Sequence, residues 1–458
     1  MISKQTQKAI TYIFAILAMV LGSIFLVSFA QGYRYDFLTG QIKESGLVLI
    51  DSTPSGADIY INGKRNKNTA PYRLTNAPLG SMNIELVRPE FRVWKKTLTV
   101  AARQVSFANY ALLLPQKLSY KSLLPEFNFS QIVQSGNKRR SFAITTKPEV
   151  AVWQLNDSDT PTRLYAPPLN SGQVTISNLQ ANADGSKLIF TQNANDVTQQ
   201  IVLSGKDTSL NLTTNLQING GVFSFNPSNS NEVYWLSTDK TLRKIDIGTQ
   251  TLGPVLAQNV LGMTPDGNNI YAVLGPSAGL AKNTIWRING SNGEKTQRPV
   301  IIPQDQAYTI VAERDRTGDY LALLTSTTKE LVIIREPMSD KPLTGVLSKS
   351  ASSFTISNNG QRILYNAADK LKAYDLEQAE RFDFGVSLVN LQAWSWYDDN
   401  HIIVTANGQL RLIDYDGQND QIISDRGDVV SFSAFKPADD IIFYTNAGSF
   451  KQVKLTQN

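Results

Sequence analysis

The stretch NADGSKLIF, residues 182–190, places a tight polar turn directly before an apolar run, and the chain repeats this arrangement. Close copies are TPDGNNIYA (264–272), DRTGDYLAL (315–323) and SNNGQRILY (357–365). Weaker copies bring the number to eight: QSGNKRRSFAI (134–144), NPSNSNEVYWL (226–236), YDDNHIIVT (397–405) and KPADDIIFYT (436–445). The copies are spaced by about 38 to 51 residues, near the length of a four-stranded propeller blade. Residues 116–458 are therefore predicted to form an all-β body of seven or eight blades.

A second strand with its own turn follows several of these copies: LRKIDIGT (242–249), TIWRINGSN (284–292), LKAYDLEQ (371–378) and LRLIDYDGQ (410–418). The repeats resemble those of TolB-type and WD-repeat-like β-propellers, and this resemblance implies a closed ring. The terminal strands of such a ring usually pair with each other. The last strand, SFKQVKLTQ (449–457), is expected to complete the blade that begins near Leu118.

The N-terminus contains an apolar segment, residues 9–30, that carries no charge. A membrane-spanning helix needs roughly 20 such residues, so an uncleaved single-pass anchor is predicted, with residues 1–8 in the cytoplasm because of Lys4 and Lys8. A cleaved signal peptide is the alternative, since Ser28 and Ala30 have the spacing of a cleavage site, but the apolar region is longer than usual. Both interpretations place the rest of the chain outside the membrane, after a polar linker at 31–44.

Residues 46–64, GLVLIDSTPSGADIYINGK, predict two strands interrupted at Pro54-Ser55-Gly56, with a tight hairpin turn at Asn62-Gly63. The later landmarks are TAPYRL (69–74), strand-like runs at 81–87 and 93–100, and FRVW (91–94). This order resembles the PEGA domain, a small all-β module of envelope proteins, with Pro54-Ser55-Gly56-Ala57 at the name-giving motif. Serine replaces the usual glutamate there. The resemblance covers about 45–115 and implies an envelope location rather than an activity.

Basic residues are concentrated in this small domain. Residues 45–115 contain four acids and nine cations, namely Lys64, Arg65, Lys67, Arg73, Arg88, Arg92, Lys95, Lys96 and Arg103. The nine cations outnumber the four acids by five, so the net charge of this domain equals that of the whole chain, +5. Contact with anionic lipid or an acidic envelope polymer is one interpretation, and a solvated surface is the more ordinary one. Nucleic acid is not expected as a partner of an exported domain with this modest charge.

Few residues suited to catalysis are present. The 458-residue chain has no cysteine and one histidine, His401, which excludes thiol chemistry and histidine metal clusters. Gly275-Pro276-Ser277-Ala278-Gly279 fits the nucleophile-elbow pattern, with Asp315 or Asp375 and His401 downstream. That pattern requires a helix after the serine, whereas a strand is predicted here. His401 is expected to make a hydrogen bond at a blade turn.

Two further motifs have a ligand-binding and a structural interpretation. The acidic segments 414–420 and 156–159 partly resemble calcium loops, but both lack ligands, and hairpin turns often have this composition. The six tryptophans could stack on sugars, but core packing is the default. They are Trp94, Trp153, Trp235, Trp286, Trp394 and Trp396. No metal, cofactor or catalytic residue is predicted.

The sequence thus predicts a single-pass envelope protein with an extracytoplasmic PEGA-like domain and a β-propeller. We expect a non-enzymatic binding or scaffolding protein whose propeller contacts another protein or an envelope polymer. One alternative is a propeller enzyme acting on envelope glycans or peptides, with a carboxylate pair at the central channel. The other is a structural surface-layer component, which exposed apolar patches on the propeller rim would favour.

Overall fold

The computed structural model describes residues 4–30, 33–36, 41–102, 104–125, 127–137, 139–155, 160–168, 172–276, 281–298, 300, 302–384, 390–435, 441–446 and 449–456. The chain divides into two compact units, and each has its own core. The first unit contains 1–117 with 456–458, and the second contains 118–455.

The N-terminal segment is helical, as α1 (Lys4–Ala30). Among the residues that the structure describes, no helix is both long and apolar enough to cross a membrane. The transmembrane helix predicted for 9–30 is therefore not found among the residues that the structure describes. Within the predicted linker, β1 (Tyr33–Asp36) and β2 (Gln41–Glu44) pair as an antiparallel hairpin.

The rest of the first unit forms two sheets around one core. Their strands are β3 (Gly46–Thr53), β4 (Asp58–Ile61), β5 (Lys64–Thr69), β6 (Tyr72–Ala77), β7 (Gly80–Val87), β8 (Trp94–Val100) and β9 (Val105–Leu112). The sheet orders are β6-β3-β9 and β5-β4-β7-β8. The predicted hairpin turn is confirmed, because Asn62 and Gly63 join β4 to β5 with φ angles of 48° and 77°. Alternate residues of β3 and β8 are buried, which places one face of each sheet in the core.

In the second unit, the described strands form eight four-stranded antiparallel sheets, each of which is one blade. Blade 8 takes its outermost strand, β10 (Ser119–Pro125), from the start of the unit. Blade 1 comprises β11 (Asn128–Gln134), β12 (Ser141–Lys147), β13 (Ala151–Leu155) and β14 (Thr162–Tyr165), and blade 2 comprises β15 (Val174–Ala181), β16 (Leu188–Ala194), β17 (Val197–Leu203) and β18 (Ser209–Asn211). Blade 3 comprises β19 (Val222–Asn226), β20 (Asn229–Leu236), β21 (Leu242–Asp246) and β22 (Thr251–Ala257), and blade 4 comprises β23 (Val260–Asp266), β24 (Asn269–Leu274), β25 (Thr284–Asn289) and β26 (Lys295–Arg298). A short helix, α2 (Leu212–Leu216), follows β18.

Blades 5 to 8 continue the same order. Blade 5 comprises β27 (Tyr308–Asp315), β28 (Gly318–Thr325), β29 (Leu331–Arg335) and β30 (Leu343–Ser348), and blade 6 comprises β31 (Ala351–Ile356), β32 (Arg362–Ala367), β33 (Lys370–Asp375) and β34 (Glu380–Asp383). Blade 7 comprises β35 (Leu391–Trp396), β36 (His401–Ala406), β37 (Gln409–Asp414) and β38 (Gln421–Ile422), and blade 8 comprises β39 (Val429–Phe435), β40 (Ile441–Asn446) and β41 (Ser449–Lys454) with β10.

The ring closes as predicted, because β10 pairs antiparallel with β41. First strands of several neighbouring blades contact one another, for example β11 with β15 and β39, and β23 with β19 and β27. The first strands therefore surround the central channel. Most second strands have long runs buried between neighbouring blades, and every residue of β36 is buried, which explains their continuous apolar runs.

Each repeated turn of the sequence joins the first and second strands of one blade, apart from 436–440, which lie outside the described residues. We call the end of the propeller at which these strands join the turn end. The opposite end, where the second strand of each blade connects to the third, is the mouth end. The two ends differ in chemistry, and this difference locates the candidate site.

Candidate functional site

A groove of about 440 Å³ lies at the mouth end of the channel and has a mainly apolar lining. We call it the mouth groove. It is formed by the starts of β19, β23 and β27, from three consecutive blades, together with the turn after β20. Its lining residues are Gly221, Val222, Leu236, Ser237, Thr238, Lys240, Val260, Leu261, Gly262, Met263, Gln306, Ala307, Tyr308, Thr309 and Ile310. Its volume lies within the 300–1,000 Å³ typical of ligand pockets.

Two glycines allow the walls of the mouth groove to come together. A Cβ atom at Gly262 would lie 2.3 Å from the backbone oxygen of Tyr308, so β23 and β27 can approach this closely only without a side chain there. Gly221 has a φ of +99°, and a Cβ atom there would lie 2.5 Å from the backbone oxygen of Leu236. Both glycines are therefore required by close backbone contact.

One wall of the mouth groove is held by hydrogen bonds around Tyr308. Its hydroxyl donates to the Pro303 carbonyl oxygen at 2.8 Å and accepts from Asn283 Nδ2 at 2.6 Å. Burial raises the pKa of Tyr308, so the hydroxyl stays neutral. Beside it, Asp305 accepts hydrogen bonds from the backbone amides of Thr327 and Thr328, at 2.7 and 3.0 Å. These contacts fix the segment before β27 against the turn of blade 5.

The charge of the mouth groove is positive. Of the described residues that line it, Lys240 alone is charged, and it has no carboxylate partner within the described part of the chain. The neighbouring Asp239 instead accepts hydrogen bonds within its own turn, from the Ser237 hydroxyl and the Thr241 amide. Those hydrogen bonds lower the pKa of Asp239. A ligand for this groove is accordingly expected to combine apolar surface with a negative charge.

A second, smaller cavity of about 190 Å³ lies at the turn end between blades 4 and 5. It is lined by Asp266, Glu313 and Asp319, together with Arg314, which forms an ion pair with Asp319. Glu313 is exposed overall, but protein around its carboxyl displaces water and, with the charge of Asp266, raises its pKa. Acids thus converge here, as the enzyme alternative requires, but the cavity is smaller than ordinary ligand pockets.

The residues considered for a serine triad are not brought together in the described structure. Ser277 lies outside the described residues, and the next described element, β25, is a strand rather than the required helix. Gly275 follows β24, the second strand of blade 4, and therefore lies at the mouth end. His401 begins β36, the second strand of blade 7, and therefore lies at the turn end. The His401 ring is buried, with Nδ1 2.9 Å from Asp398 Oδ1 and Nε2 3.5 Å from Asp414 Oδ1.

The two candidate triad acids are also held in structural ion pairs at the turn end. Asp315 Oδ2 lies 2.9 Å from Arg335 Nη1, and Asp375 Oδ2 lies 2.9 Å from Arg362 Nε. The guanidinium group of Arg362 also lies over the ring of Tyr415, with its Cζ atom 3.8 Å from the ring centroid. Both carboxylates are almost completely buried, so their partners compensate for lost hydration.

The acidic segment 414–420 is a hydrogen-bonded turn. Asp414 Oδ2 accepts from Asn419 Nδ2 at 2.9 Å, Asp416 accepts from the Gln418 amide at 3.1 Å, and Asp420 forms a two-point contact with Arg411. No group of three or more potential metal ligands occurs among the described residues. The other acidic segment, 156–159, lies outside the described residues.

The tryptophans are packed or half-buried, as core packing predicts. Trp94 and Trp396 are 1% and 2% exposed, and Trp394 is half-buried. The indole nitrogens of three others donate hydrogen bonds: Trp153 to Thr145 Oγ1, Trp235 to the Gly220 carbonyl oxygen and Trp286 to Thr284 Oγ1. Trp94 thus belongs to the core of the first unit, and the other five tryptophans lie on blade strands.

Several cations of the first unit also have structural contacts. Lys96 is buried against Tyr110, Arg65 pairs with Asp58 at 2.8 Å, and Lys95 pairs with Glu85 at 3.2 Å. Arg88 donates to the Ser55 carbonyl oxygen, and Arg103 lies outside the described residues. Arg65 and Lys95 thus pair with acids that the net charge of the domain already counts, so its excess of positive charge remains.

The mouth groove was not predicted from the sequence. Its signals are a glycine inside a strand, Gly262, and the pair Gly220-Gly221 before another strand, which indicate close backbone approach. Comparison with known proteins agrees with the two-part architecture. Residues 45–114 match the PEGA domain, and 1322 chains of solved structures match the protein. No curated protein matches it.

One of the matching structures is the C-terminal WD40 domain of Sif2, at 12% sequence identity and a TM-score of 0.52. The match covers 74% of this chain and 99% of that chain. The predicted resemblance to a PEGA domain followed by a WD-repeat-like propeller is confirmed. At this identity the second likeness concerns the fold alone.

Proposed function

We propose that this protein is a non-enzymatic interaction platform whose propeller binds an extended polypeptide segment in the mouth groove. The observation that carries the proposal is the groove itself: 440 Å³, mainly apolar and bounded by three first strands. Val222 is 58% exposed at its edge. Exposed apolar side chains beside a shaped cavity are typical of a protein-binding site.

The chemistry of the groove favours a peptide over a sugar polymer. Polar side chains such as Ser237, Gln306 and Thr309 also line the groove, but most of its accessible lining surface is apolar, which suits an apolar side chain of a partner better than the hydroxyl groups of a sugar. An apolar side chain of a partner can fill the cavity, and a nearby carboxylate can approach Lys240. We infer that the segment contains an apolar residue with an acidic residue or a C-terminal carboxylate beside it.

The proposal can be tested by selecting displayed peptides of random sequence on the immobilised full-length chain. The selected peptides are expected to share an apolar residue flanked by a carboxylate. Val222→Asp places a charge at the edge of the groove, so it is expected to weaken their binding by about tenfold or more. Affinities would be measured by fluorescence anisotropy with the labelled peptides.

Val197→Asp is the matched control. Val197 begins a third strand at the same mouth end and is 54% exposed, close to the 58% of Val222, but it does not line the groove. Its substitution is expected to leave peptide affinity unchanged. Equal loss in both variants, or selection of peptides without an apolar residue, would contradict the proposal.

We also propose that the protein acts at the outer face of a membrane, with its N-terminal segment as the attachment. Residues 9–30 carry no charge, and the match to the PEGA domain supports an envelope role. Alkaline extraction of membranes, combined with protease treatment of intact spheroplasts, tests this location. Retention in the membrane with external cleavage supports it, and release into the soluble fraction overturns it.

A further inference from the structure

The outermost strand of blade 5 differs from the other outer strands in the described part of the propeller. β30, LTGVLS (343–348), has neither a charged residue nor a proline. The others are short, charged or contain proline: β14 TRLY, β18 SLN, β22 TLGPVLA, β26 KTQR, β34 ERFD, β38 QI and β10 SYKSLLP. Charges, prolines and short lengths are the usual means by which proteins prevent edge strands from pairing with another chain.

Two apolar side chains of β30 are exposed to solvent. Leu343 is 67% exposed and Val346 is 48% exposed. At the end of the strand, the Leu347 carbonyl oxygen accepts a hydrogen bond from Arg381 Nη2 at 2.9 Å, which covers that part of the edge. We therefore call residues 343–346 the free edge. A Cβ atom added to Gly345 would have no atom within 4 Å, so one face of the strand is open at this residue.

A groove of about 260 Å³ adjoins the free edge, between blades 5 and 6. Leu343 and Val346 border it, and Ile333, Tyr374 and Leu376 are among its other lining residues. The same surface therefore presents a protruding leucine and a hollow that is partly apolar, since Arg335 and Arg381, which have partners within the chain, also line it. An interface between two identical copies requires this arrangement, because each surface must contact its own counterpart.

We propose that two copies of this protein associate through antiparallel pairing of their free edges, with Leu343 of each copy beside the groove of the other. Backbone groups of alternate residues in an outermost strand point away from the blade and can form the hydrogen bonds. The absence of charge in β30 removes the like-charge repulsion that two identical strands would otherwise experience. The surface is separate from the mouth groove, so this proposal does not depend on the proposed function.

The absence of cysteine from the natural chain allows a direct test by disulfide formation. In an antiparallel pair of identical strands, a residue on the twofold axis lies opposite its own copy. Single variants Thr344→Cys, Gly345→Cys and Val346→Cys of the full-length chain would be oxidised and separated without reductant. At least one is expected to give at least about fivefold more covalent dimer than a control, because the Cβ atoms of directly paired residues are about 4.5–5.5 Å apart, close enough for a small backbone shift to bring them to the distance of a disulfide.

Val255→Cys is the matched control. Val255 is 40% exposed on β22, another outer strand, where the preceding Pro254 lacks an amide hydrogen. Adding Leu343→Lys to the most strongly cross-linked variant is expected to abolish the dimer, since it places like charges on both copies. Circular dichroism checks that each variant is folded. Dimer formation no greater than in Val255→Cys overturns the proposal, as does cross-linking to a different protein when the variants are oxidised in cells.

Discussion

The two ends of the propeller use polar groups in different ways. At the turn end, Asp315 and Asp375 are almost completely buried, and each is paired with an arginine at 2.9 Å. At the mouth end, Lys240 borders an apolar groove without a carboxylate partner in the described structure, and Val222 is 58% exposed. The buried carboxylates at the turn end thus have ion-pair partners. At the mouth end, in the described structure, the charge of Lys240 has no carboxylate partner and the apolar side chain of Val222 is exposed to solvent.

This difference separates residues that stabilise the fold from residues that can bind a ligand. A buried ion must be paired because the loss of hydration costs several kcal/mol per ion. The buried acids Asp315 and Asp375 at the turn end are therefore explained by the fold. Binding is expected where groups have no partner within the chain, which is the situation in the mouth groove.

The largest effect is expected from Arg362→Ala. The substitution leaves the Asp375 carboxylate buried without its ion-pair partner and removes the cover from the Tyr415 ring. The free energy of unfolding of the propeller is expected to fall by about 3–5 kcal/mol, as for other broken buried pairs. Urea denaturation followed by tryptophan fluorescence measures the change, and the affinity for selected peptides is expected to remain the same in the folded variant.

Arg314→Ala is the control, because Arg314 forms an exposed ion pair with Asp319 at the same end of the propeller. Exposed pairs contribute at most about 1 kcal/mol, so a small change is expected. Equal destabilisation by the two variants would contradict the distinction between buried and exposed charges.

A smaller effect, with a dependence on pH, is expected from Asp315→Asn. Burial raises the pKa of Asp315, but hydrogen bonds from Thr317 and the contact with Arg335 outweigh burial and hold it below the usual range. A carboxyl whose pKa is lower in the folded state stabilises the fold above its unfolded pKa, about 3.9. That stabilisation is lost as the pH falls from about 4 through the folded pKa.

At neutral pH the asparagine variant is expected to lose about 1.5–3 kcal/mol, the contribution of hydrogen bonds to a charged group. Below about pH 4 its stability is expected to change less with pH than that of the natural chain, since the titrating group is gone. Urea denaturation at pH 7, 5, 4 and 3 measures both effects. If the free energy of unfolding of the variant changed with pH in the same way as that of the natural chain, Asp315 would make no contribution to the pH dependence of stability.

The sequence predicted the turn end of the propeller better than the mouth end, for a physical reason. Turns such as residues 182–187 and strands such as β36 follow from local residue patterns, which are polar turn formers followed by a run buried on both faces. The closing pair of β10 and β41 follows from the general need to cover strand edges. Each of these features is encoded within a few neighbouring residues.

The mouth groove depends on contacts that are distant in sequence. Gly221, Lys240 and Gly262 contribute to one cavity only because three blades pack side by side. The burial of Lys96, by contrast, follows from the local alternation of β8, in which Trp94, Lys96 and Leu98 lie on the buried face. Composition therefore gives the net charge of the small domain but not the individual contacts of its cations.

The smallest effect is expected at Lys240, for which the propeller contains a structural counterpart. Lys240 and Lys329 occupy the same place in the turns of blades 3 and 5, with φ angles of 65° and 58°. The carbonyl oxygen of each accepts a hydrogen bond from the strand that begins the next blade, from Val260 at 3.0 Å and from Ala351 at 2.8 Å. Only Lys240 lines the mouth groove. The two lysines therefore differ in their proximity to the groove rather than in their backbone environment.

Lys240→Glu is expected to weaken the binding of selected acidic peptides by about two- to fivefold at low ionic strength, the usual contribution of a solvent-exposed charge pair. The difference from the natural chain is expected to disappear as salt is added, because exposed charges are screened within about 10 Å at 0.1 M. Lys329→Glu changes net charge identically and is expected to leave affinity unchanged. If both substitutions weakened binding equally, the peptide would be responding to the overall charge of the propeller, and the groove would lose its role as the binding site. A loss confined to Lys240→Glu would instead place the peptide carboxylate beside this one turn.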